Sequence, residues 1–219
     1  MQSVVLRAKQ QPYMLETLIR FFIVFFVVVE PISLIPLFAG LTEGASENYK
    51  RKMAFKACFI ALCICVLFAV AGAKFLQIMG IALSSFRLAG GTLLFLISLE
   101  MVFARPSGTR STAPEAEECA KRADISVFPL AFPFIAGPGA LATILLTAGE
   151  VGGRPALFAG FLGVVALVMA ICWVFLLATP RLMKVLGVTG ANVANRLSGV
   201  VLAALAVQFI VDGIRGSFL

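Results

Sequence analysis

The sequence predicts an all-α integral membrane protein: six transmembrane helices arranged as two inverted three-helix repeats, with helices 1 and 4 broken by proline and glycine. Three observations predict this class. Of the 219 residues, 61% are hydrophobic and 13% are charged, whereas roughly a quarter of the residues of a soluble domain are charged. The apolar residues form runs long enough to cross a bilayer, and two of these runs contain paired prolines.

Six apolar runs have the length of about 20 residues that a membrane-spanning helix needs. They cover residues 16–40, 53–72, 81–103, 125–148, 156–178 and 191–211. The only substantial hydrophilic connection covers residues 104–124 and is rich in Ser, Thr, Pro and charged residues. It divides the chain into a first three-helix repeat, residues 1–103, and a second, residues 125–219.

The composition also excludes several functions. The chain has no histidine, which excludes histidine-dependent zinc sites, imidazole proton relays and Ser-His catalysis. Its five cysteines form no CxxC pair, and three of them lie in one apolar run, as expected for core packing. We therefore predict no enzyme activity, no catalytic residue, no metal site and no cofactor.

The basic residues lie between the apolar runs and predict an orientation. The net charge is +7, but no aromatic residues alternate with the basic ones, so we predict no nucleic-acid partner. If six spans alternate across the membrane, one side collects Lys50, Arg51, Lys52, Lys56, Arg105, Arg110, Lys121, Arg122, Arg181 and Lys184. Basic residues near span ends favour the cytoplasm, so both termini of this multi-pass protein should be periplasmic.

Two motifs recur in the two halves. Arg87 begins an Arg-Leu-Ala-Gly motif early in the third run, and Arg196 begins an Arg-Leu-Ser-Gly motif early in the sixth. A three-helix unit that is duplicated across a membrane inverts, so a pseudo-two-fold axis in the membrane plane would relate the halves. The first and fourth runs each contain two prolines five residues apart, Pro31 and Pro36 in one and Pro133 and Pro138 in the other.

The proline-broken segments are the predicted substrate-binding site. Proline removes a backbone donor, and membranes tolerate this only where protein or water satisfies the freed groups, usually beside a cavity. A helix that restarts there points N–H groups and a positive dipole end inward, which suits a carboxylate. Simple kinks that aid packing are the alternative. The predicted residues are Glu30, Pro31, Ser33, Pro36, Pro133, Gly137, Pro138, Gly139 and Ala140.

Charged residues within the spans need partners, because an intramembrane charge costs roughly 2.5 to 3.5 kcal/mol on insertion scales. Glu30 could bind a substrate ammonium, carry a proton, pair with an arginine or lie at the interface. Arg87 and Arg196 occupy matching places, which favours paired structural or coupling roles such as holding freed carbonyls or carboxylates at the breaks. Direct contact with the substrate is the alternative. Glu100 lies near the end of the third run, where a structural role is expected.

With these motifs in view, the sequence resembles the MarC family of bacterial inner-membrane proteins over about residues 18–211. The motifs that carry the resemblance are residues 30–38, 80–81, 86–91, 94–96, 100–101 and 129–140. The family usually has Asp-Pro-Ile-Gly at the first break, where this chain has Glu30 and Ser33 in place of the acid and the glycine. The resemblance implies a six-helix inverted repeat related to the LysE-type exporters. It also implies that some members of the MarC family transport small neutral amino acids.

We therefore expect a secondary transporter or exporter of small neutral amino acids in the bacterial inner membrane. A metal or other cation transporter is one alternative, and a non-transport membrane scaffold is another. The expected partners are membrane lipid and a small-molecule substrate. The identity of the substrate, the direction of transport, coupling to protons or ions, oligomerisation and a link to antibiotic resistance do not follow from the residues.

Overall fold

The computed structural model describes residues 2–103 and 124–218, and within these ranges it contains helices joined by short turns and no strand. The predicted connection at 104–124 lies outside the described residues except for Asp124. The helices are α1 (Gln2–Val29), α2 (Leu34–Leu41), α3 (Glu47–Ile78), α4 (Leu83–Phe103), α5 (Ser126–Ile135), α6 (Pro138–Val151), α7 (Pro155–Val185) and α8 (Thr189–Ser217).

Four of these helices, α3, α4, α7 and α8, are each long and apolar enough to cross a membrane. The remaining helices form two bent pairs. The membrane part of α1, Met14–Val29, meets α2 at 40°, and α5 meets α6 at 59°. Counting each pair as one span gives up to six spans among the described residues. The bends fall in the first and fourth apolar runs, where the paired prolines predict breaks.

Helices α4 and α8 are antiparallel and pack closely against each other. A Cβ atom built on Gly91 would lie 2.9 Å from the backbone nitrogen of Ile210. Further towards the other end of α4, a Cβ on Gly199 would lie 2.8 Å from the Cβ of Met101. Small residues at both contacts allow the two backbones to approach closely, which is how helices associate in a membrane.

The start of α1, the start of α4 and the ends of α6 and α8 lie at one end of the bundle, which we call the terminal side. A Cβ on Gly213 of α8 would lie 2.8 Å from the backbone nitrogen of Leu88, and one on Gly149 of α6 would lie 3.1 Å from Leu83. Near the start of the membrane part of α1, Leu18 packs against Gly160 of α7. The other end of the bundle, where α2 ends and α5 begins, is the opposite side.

Asp124 fixes the beginning of α5 at the opposite side. Its carboxylate pairs with Lys56 of α3 and accepts a hydrogen bond from the backbone N–H of Ser126 at 3.0 Å. The hydrogen bond from Lys56, followed by those from Ser126, lowers the pKa of Asp124 from 3.8 to about 2. The contribution of this group to stability is therefore present above about pH 4 and is lost as the pH falls towards 2.

We expect Gly91→Ala to destabilise the protein. The added methyl group would press on the backbone of α8, and overpacking of this kind typically costs about 1–3 kcal/mol. The thermal midpoint of purified protein in detergent should fall by several degrees. Gly163→Ala in α7 is the matched control, because a Cβ at Gly163 meets nothing within 4 Å. Equal midpoints for the two variants would contradict the close α4–α8 contact.

Candidate functional site

The first break comprises residues 30–33, between α1 and α2. Glu30 has a φ of 54°, in the left-handed region that residues other than glycine seldom adopt. Its N–H donates to the carbonyl of Phe26 at 3.1 Å, which completes α1, and its own carbonyl accepts from the N–H of Ser33 at 3.0 Å. Pro31 has no N–H with which to continue α1. The chain therefore turns before α2 begins at Leu34.

The Glu30 side chain lies inside the protein, with only 4% of the residue exposed. Glu30 and Pro31 line a cavity of about 230 Å³ between the end of α1 and one face of α8. The other wall consists of Leu197, Ser198 and Val201. A carboxyl group in such a largely apolar setting is expensive and is usually kept for a function, such as binding a cation or carrying a proton.

A hydrogen bond joins the first break to α8. The Ser33 hydroxyl donates to the side-chain oxygen Oδ1 of Asn195 at 2.7 Å. The two residues are 162 positions apart and partly buried. The break is thus tied to the helix that also forms the wall of the Glu30 cavity.

The second break begins in α5, where two residues with extended backbone angles interrupt the helix and some hydrogen bonds reach five residues back. The N–H of Ala136 donates to the carbonyl of Ala131 at 2.8 Å, five residues back. A Cβ on Gly137 would overlap the carbonyl oxygen of Pro133, so only glycine fits there without a backbone shift. Pro138 then begins α6. The first N–H group that bonds within this helix is that of Leu141, whose nitrogen lies 3.0 Å from the carbonyl oxygen of Gly137.

The two broken spans come close together beside their breaks. A Cβ on Gly139 would overlap the side chain of Leu94 and would lie 3.3 Å from Cγ1 of Val28, two residues before Glu30. The gap among these groups measures about 10 Å³, which is near the smallest volume that holds one water molecule. Its walls include Pro133, Gly137, Pro138, Gly139 and Ala140. The predicted residues of the second break therefore meet around one point, which is closed in this conformation.

Two larger cavities with charged residues in their lining lie towards the two ends of the bundle. The terminal-side vestibule has a volume of about 340 Å³ and narrows from exposed Glu16 and Glu150 to buried Thr143, one turn from Gly139. The opposite-side vestibule has a volume of about 840 Å³ and reaches buried Phe38 of α2. Its charged residues are Glu43, Glu47, Lys50, Arg51 and Arg181.

Of the three other predicted charged residues, Arg87 lies away from the breaks. Nη2 of Arg87 donates to Oε1 of Glu150 at 2.7 Å. This pair holds Arg87 at the end of α6, about three turns beyond the second break, so Arg87 does not hold groups freed there. Arg196 is exposed next to Leu197 of the Glu30 cavity, and Glu100 is partly buried near the end of α4. The side chain of Pro36 is partly buried in α2.

Within residues 2–103 and 124–218, no group of three or more His, Cys, Asp or Glu side chains is placed to hold a metal ion. Two features were missed by the sequence analysis. One is the hydrogen bond between Ser33 and Asn195, and the other is the ion pair of Arg87 with Glu150. Each joins residues from different halves of the chain, so no local spacing signals it.

The apolar helices and the two inward breaks define a multi-pass integral membrane protein. The chain belongs to a particular family of such proteins: the model of the MarC family integral membrane proteins matches residues 15–218. No solved structure matches the chain.

Relatives from bacteria and archaea match nearly the whole chain. The UPF0056 membrane protein YhcE of Escherichia coli is 35% identical over 199 residues, covering 91% of this chain and 92% of its own. The UPF0056 membrane protein YvbG of Bacillus subtilis is 35% identical over 209 residues, covering 94% and 97%. A UPF0056 membrane protein of Archaeoglobus fulgidus is 34% identical over 195 residues, covering 88% and 90%. These names describe membrane proteins and state no activity.

We expect Ser33 and Asn195 to be energetically coupled. In a double-mutant cycle of Ser33→Ala and Asn195→Ala, the coupling energy should be about 0.5–1.5 kcal/mol, the range measured for hydrogen bonds inside membrane proteins. Unfolding of purified protein in mixed micelles measures it. Ser85→Ala with Asn192→Ala is the control cycle, because these exposed residues lie near the starts of α4 and α8, at opposite ends of the bundle. Similar coupling in both cycles would refute the assigned bond.

Proposed function

We propose that this protein is a secondary transporter, acting as an exporter, of small neutral amino acids. One observation carries the proposal. The two broken spans meet at Val28 and Gly139, beside the buried carboxyl group of Glu30, and a charged vestibule lies at each end of the bundle. Irregular backbone at membrane depth is tolerated where it lines a site or a water-filled path.

The closed layer between the vestibules supports a cycle of alternating access. The gap at the second break has room for about one water molecule, so an amino acid can enter only if the packing around Leu94 and Val28 opens. Opening towards one vestibule while the other remains sealed moves a substrate without forming a continuous pore. The proposal involves no chemical reaction and no cofactor.

Each break offers a different group to a zwitterion. The N–H groups of Gly139 and Ala140 lie in the first turn of α6, ahead of the first intrahelical donor, and suit a substrate carboxylate. Glu30 suits the substrate ammonium or a coupling proton. Gly139 and Ala140 also present almost no side chain, which favours small cargo.

Two inverted repeats are part of the proposal. Aligning Arg87 with Arg196 makes Gly90 of α4 equivalent to Gly199 of α8. Gly91 packs against Ile210, and Gly199 packs against Met101. A two-fold axis in the membrane plane would exchange these two contacts to within about one residue, as expected for duplicated halves of opposite orientation.

Glu30→Gln should lower L-alanine flux through proteoliposomes by about tenfold or more. A charged hydrogen bond is worth about 1.5–3 kcal/mol, and tenfold corresponds to 1.4 kcal/mol. Asp124→Asn is the matched control, since it makes the same acid-to-amide change at the bundle end, outside the site. Flux per folded protein should be retained in the control. If glycine, alanine, serine and threonine all fail to move through the unmodified protein, with or without a proton gradient, the proposed function is wrong.

We further propose that the protein lies in the bacterial inner membrane with both termini in the periplasm. Lys50, Arg51, Lys52, Lys56 and Arg181 all lie at or near the opposite side, where α3 begins and α7 ends. Such an excess near span ends favours the cytoplasm. Oligomers are compatible with this arrangement.

Alkaline phosphatase fused after Leu219 should therefore be active, because it folds only in the periplasm, and green fluorescent protein at the same place should be dark. The same reporters fused after Phe103 should show the reverse pattern and serve as the control. Activity of only the cytoplasm-specific reporter after Leu219 would overturn the orientation.

A further inference from the structure

The terminal-side vestibule has the properties of a binding site in its own right. Its volume of about 340 Å³ lies at the small end of the usual range for ligand pockets, about 300–1,000 Å³. Charged groups of both signs, Arg20 and Arg87 with Glu16, Glu150 and Asp212, share it with apolar side chains. A cavity that offers both signs of charge and an apolar wall matches a small zwitterion.

The crossing of α4 and α8 holds the two charges that can act as a pair. Gly213 packs against the backbone of Leu88, with a built Cβ 2.8 Å from its nitrogen. Arg87 and Asp212 are the immediate neighbours of these two residues, and both line the vestibule. A cation and an anion are thereby fixed on adjacent walls of one cavity.

Both groups keep capacity for a ligand. Arg87 donates through Nη2 to Glu150, whose side chain is 61% exposed. A guanidinium group has five N–H donors, and exposed ion pairs are weak, so a ligand carboxylate can join or replace Glu150. Asp212 accepts from Nε2 of Gln208 at 2.9 Å, and a carboxylate accepts more than one hydrogen bond.

The floor of the vestibule leads to the second break. The Thr143 hydroxyl, on buried Thr143, donates to the carbonyl of Gly139 at 2.9 Å. A ligand in the vestibule is therefore one helical turn from the closed layer, on the path that the proposed transport cycle requires.

We propose that this vestibule is a second binding site, at which Arg87 holds the carboxylate and Asp212 the ammonium of a free amino acid. The inference rests on the proposed transport function, because it assigns the vestibule the same class of ligand. It differs in location from the breaks, and the ligand would occupy the vestibule when the breaks are closed.

Thiol protection tests the site directly. Thr147 lines the vestibule, so Thr147→Cys in a background without other cysteines provides a reporter for a charged thiol reagent. L-Alanine should slow the modification at least about threefold, and neither L-alaninamide nor propionate should do so, because each lacks one of the two charges. Absence of protection by L-alanine, or equal protection by all three compounds, would overturn the site.

Substitutions of Arg87 and Asp212 test whether these residues bind the ligand that protects the thiol. Arg87→Gln and Asp212→Asn should each abolish protection and raise the KM for L-alanine flux by about tenfold or more at retained Vmax. Arg215→Gln, at the same end but not in the vestibule lining, is the control for Arg87→Gln. If both vestibule variants are protected and have the KM of the unmodified protein, the assignment of Arg87 and Asp212 is wrong.

The two proposals fail in different ways. Normal flux with no protection removes the vestibule site and leaves the transporter intact. Protection without any flux leaves the binding site and removes transport. Protection in phosphatidylethanolamine vesicles but not in phosphatidylcholine vesicles, with no effect of L-alanine, would assign the vestibule to a lipid headgroup and overturn the inference.

Discussion

Within a bilayer, every backbone N–H and C=O group must find its partner inside the protein, and the rest of this structure depends on that constraint. Because the prolines at the two breaks have no N–H group, helical hydrogen bonds alone cannot satisfy every backbone group there. At the first break, the backbone of Glu30 adopts a left-handed conformation, and a hydrogen bond from the N–H of Ser33 closes the turn. At the second break, hydrogen bonds in and after α5 reach the carbonyl group five residues back. Both solutions need surrounding protein, which explains why the broken spans pack closely together beside the breaks.

Small residues allow the helices around the breaks to pack closely. Gly91 and Gly199 bring α4 and α8 into close contact, and Gly90 brings α4 against Ala142 of α6. Leu94, which also lies on α4, then reaches Gly139 at the second break. Helix α4, which takes part in these glycine contacts, therefore also closes the gap at the second break. Packing and the closed state of the site have the same physical origin.

The sequence predicts the parts of this structure that follow from composition and proline placement. The lengths of the apolar runs predict the helices, and the prolines predict where two of them bend. What it does not predict is which distant side chains meet. For Arg87 the sequence predicts a structural or coupling role, but not its partner Glu150, 63 residues away. The division of the predicted site into a cavity at Glu30 and a closed gap at Gly139 likewise depends on how α8 and α4 pack.

Two polar contacts join the halves of the chain, each between an unbroken helix and a broken span. Arg87 and Glu150 join α4 to the second broken span at the terminal side. Ser33 and Asn195 join α8 to the first broken span. In each case the unbroken helix of one half holds the broken span of the other, and the two contacts lie at different depths of the bundle. These contacts fix each broken span against an unbroken helix of the other half, and the narrow gap at Gly139 lies where the two broken spans and α4 meet.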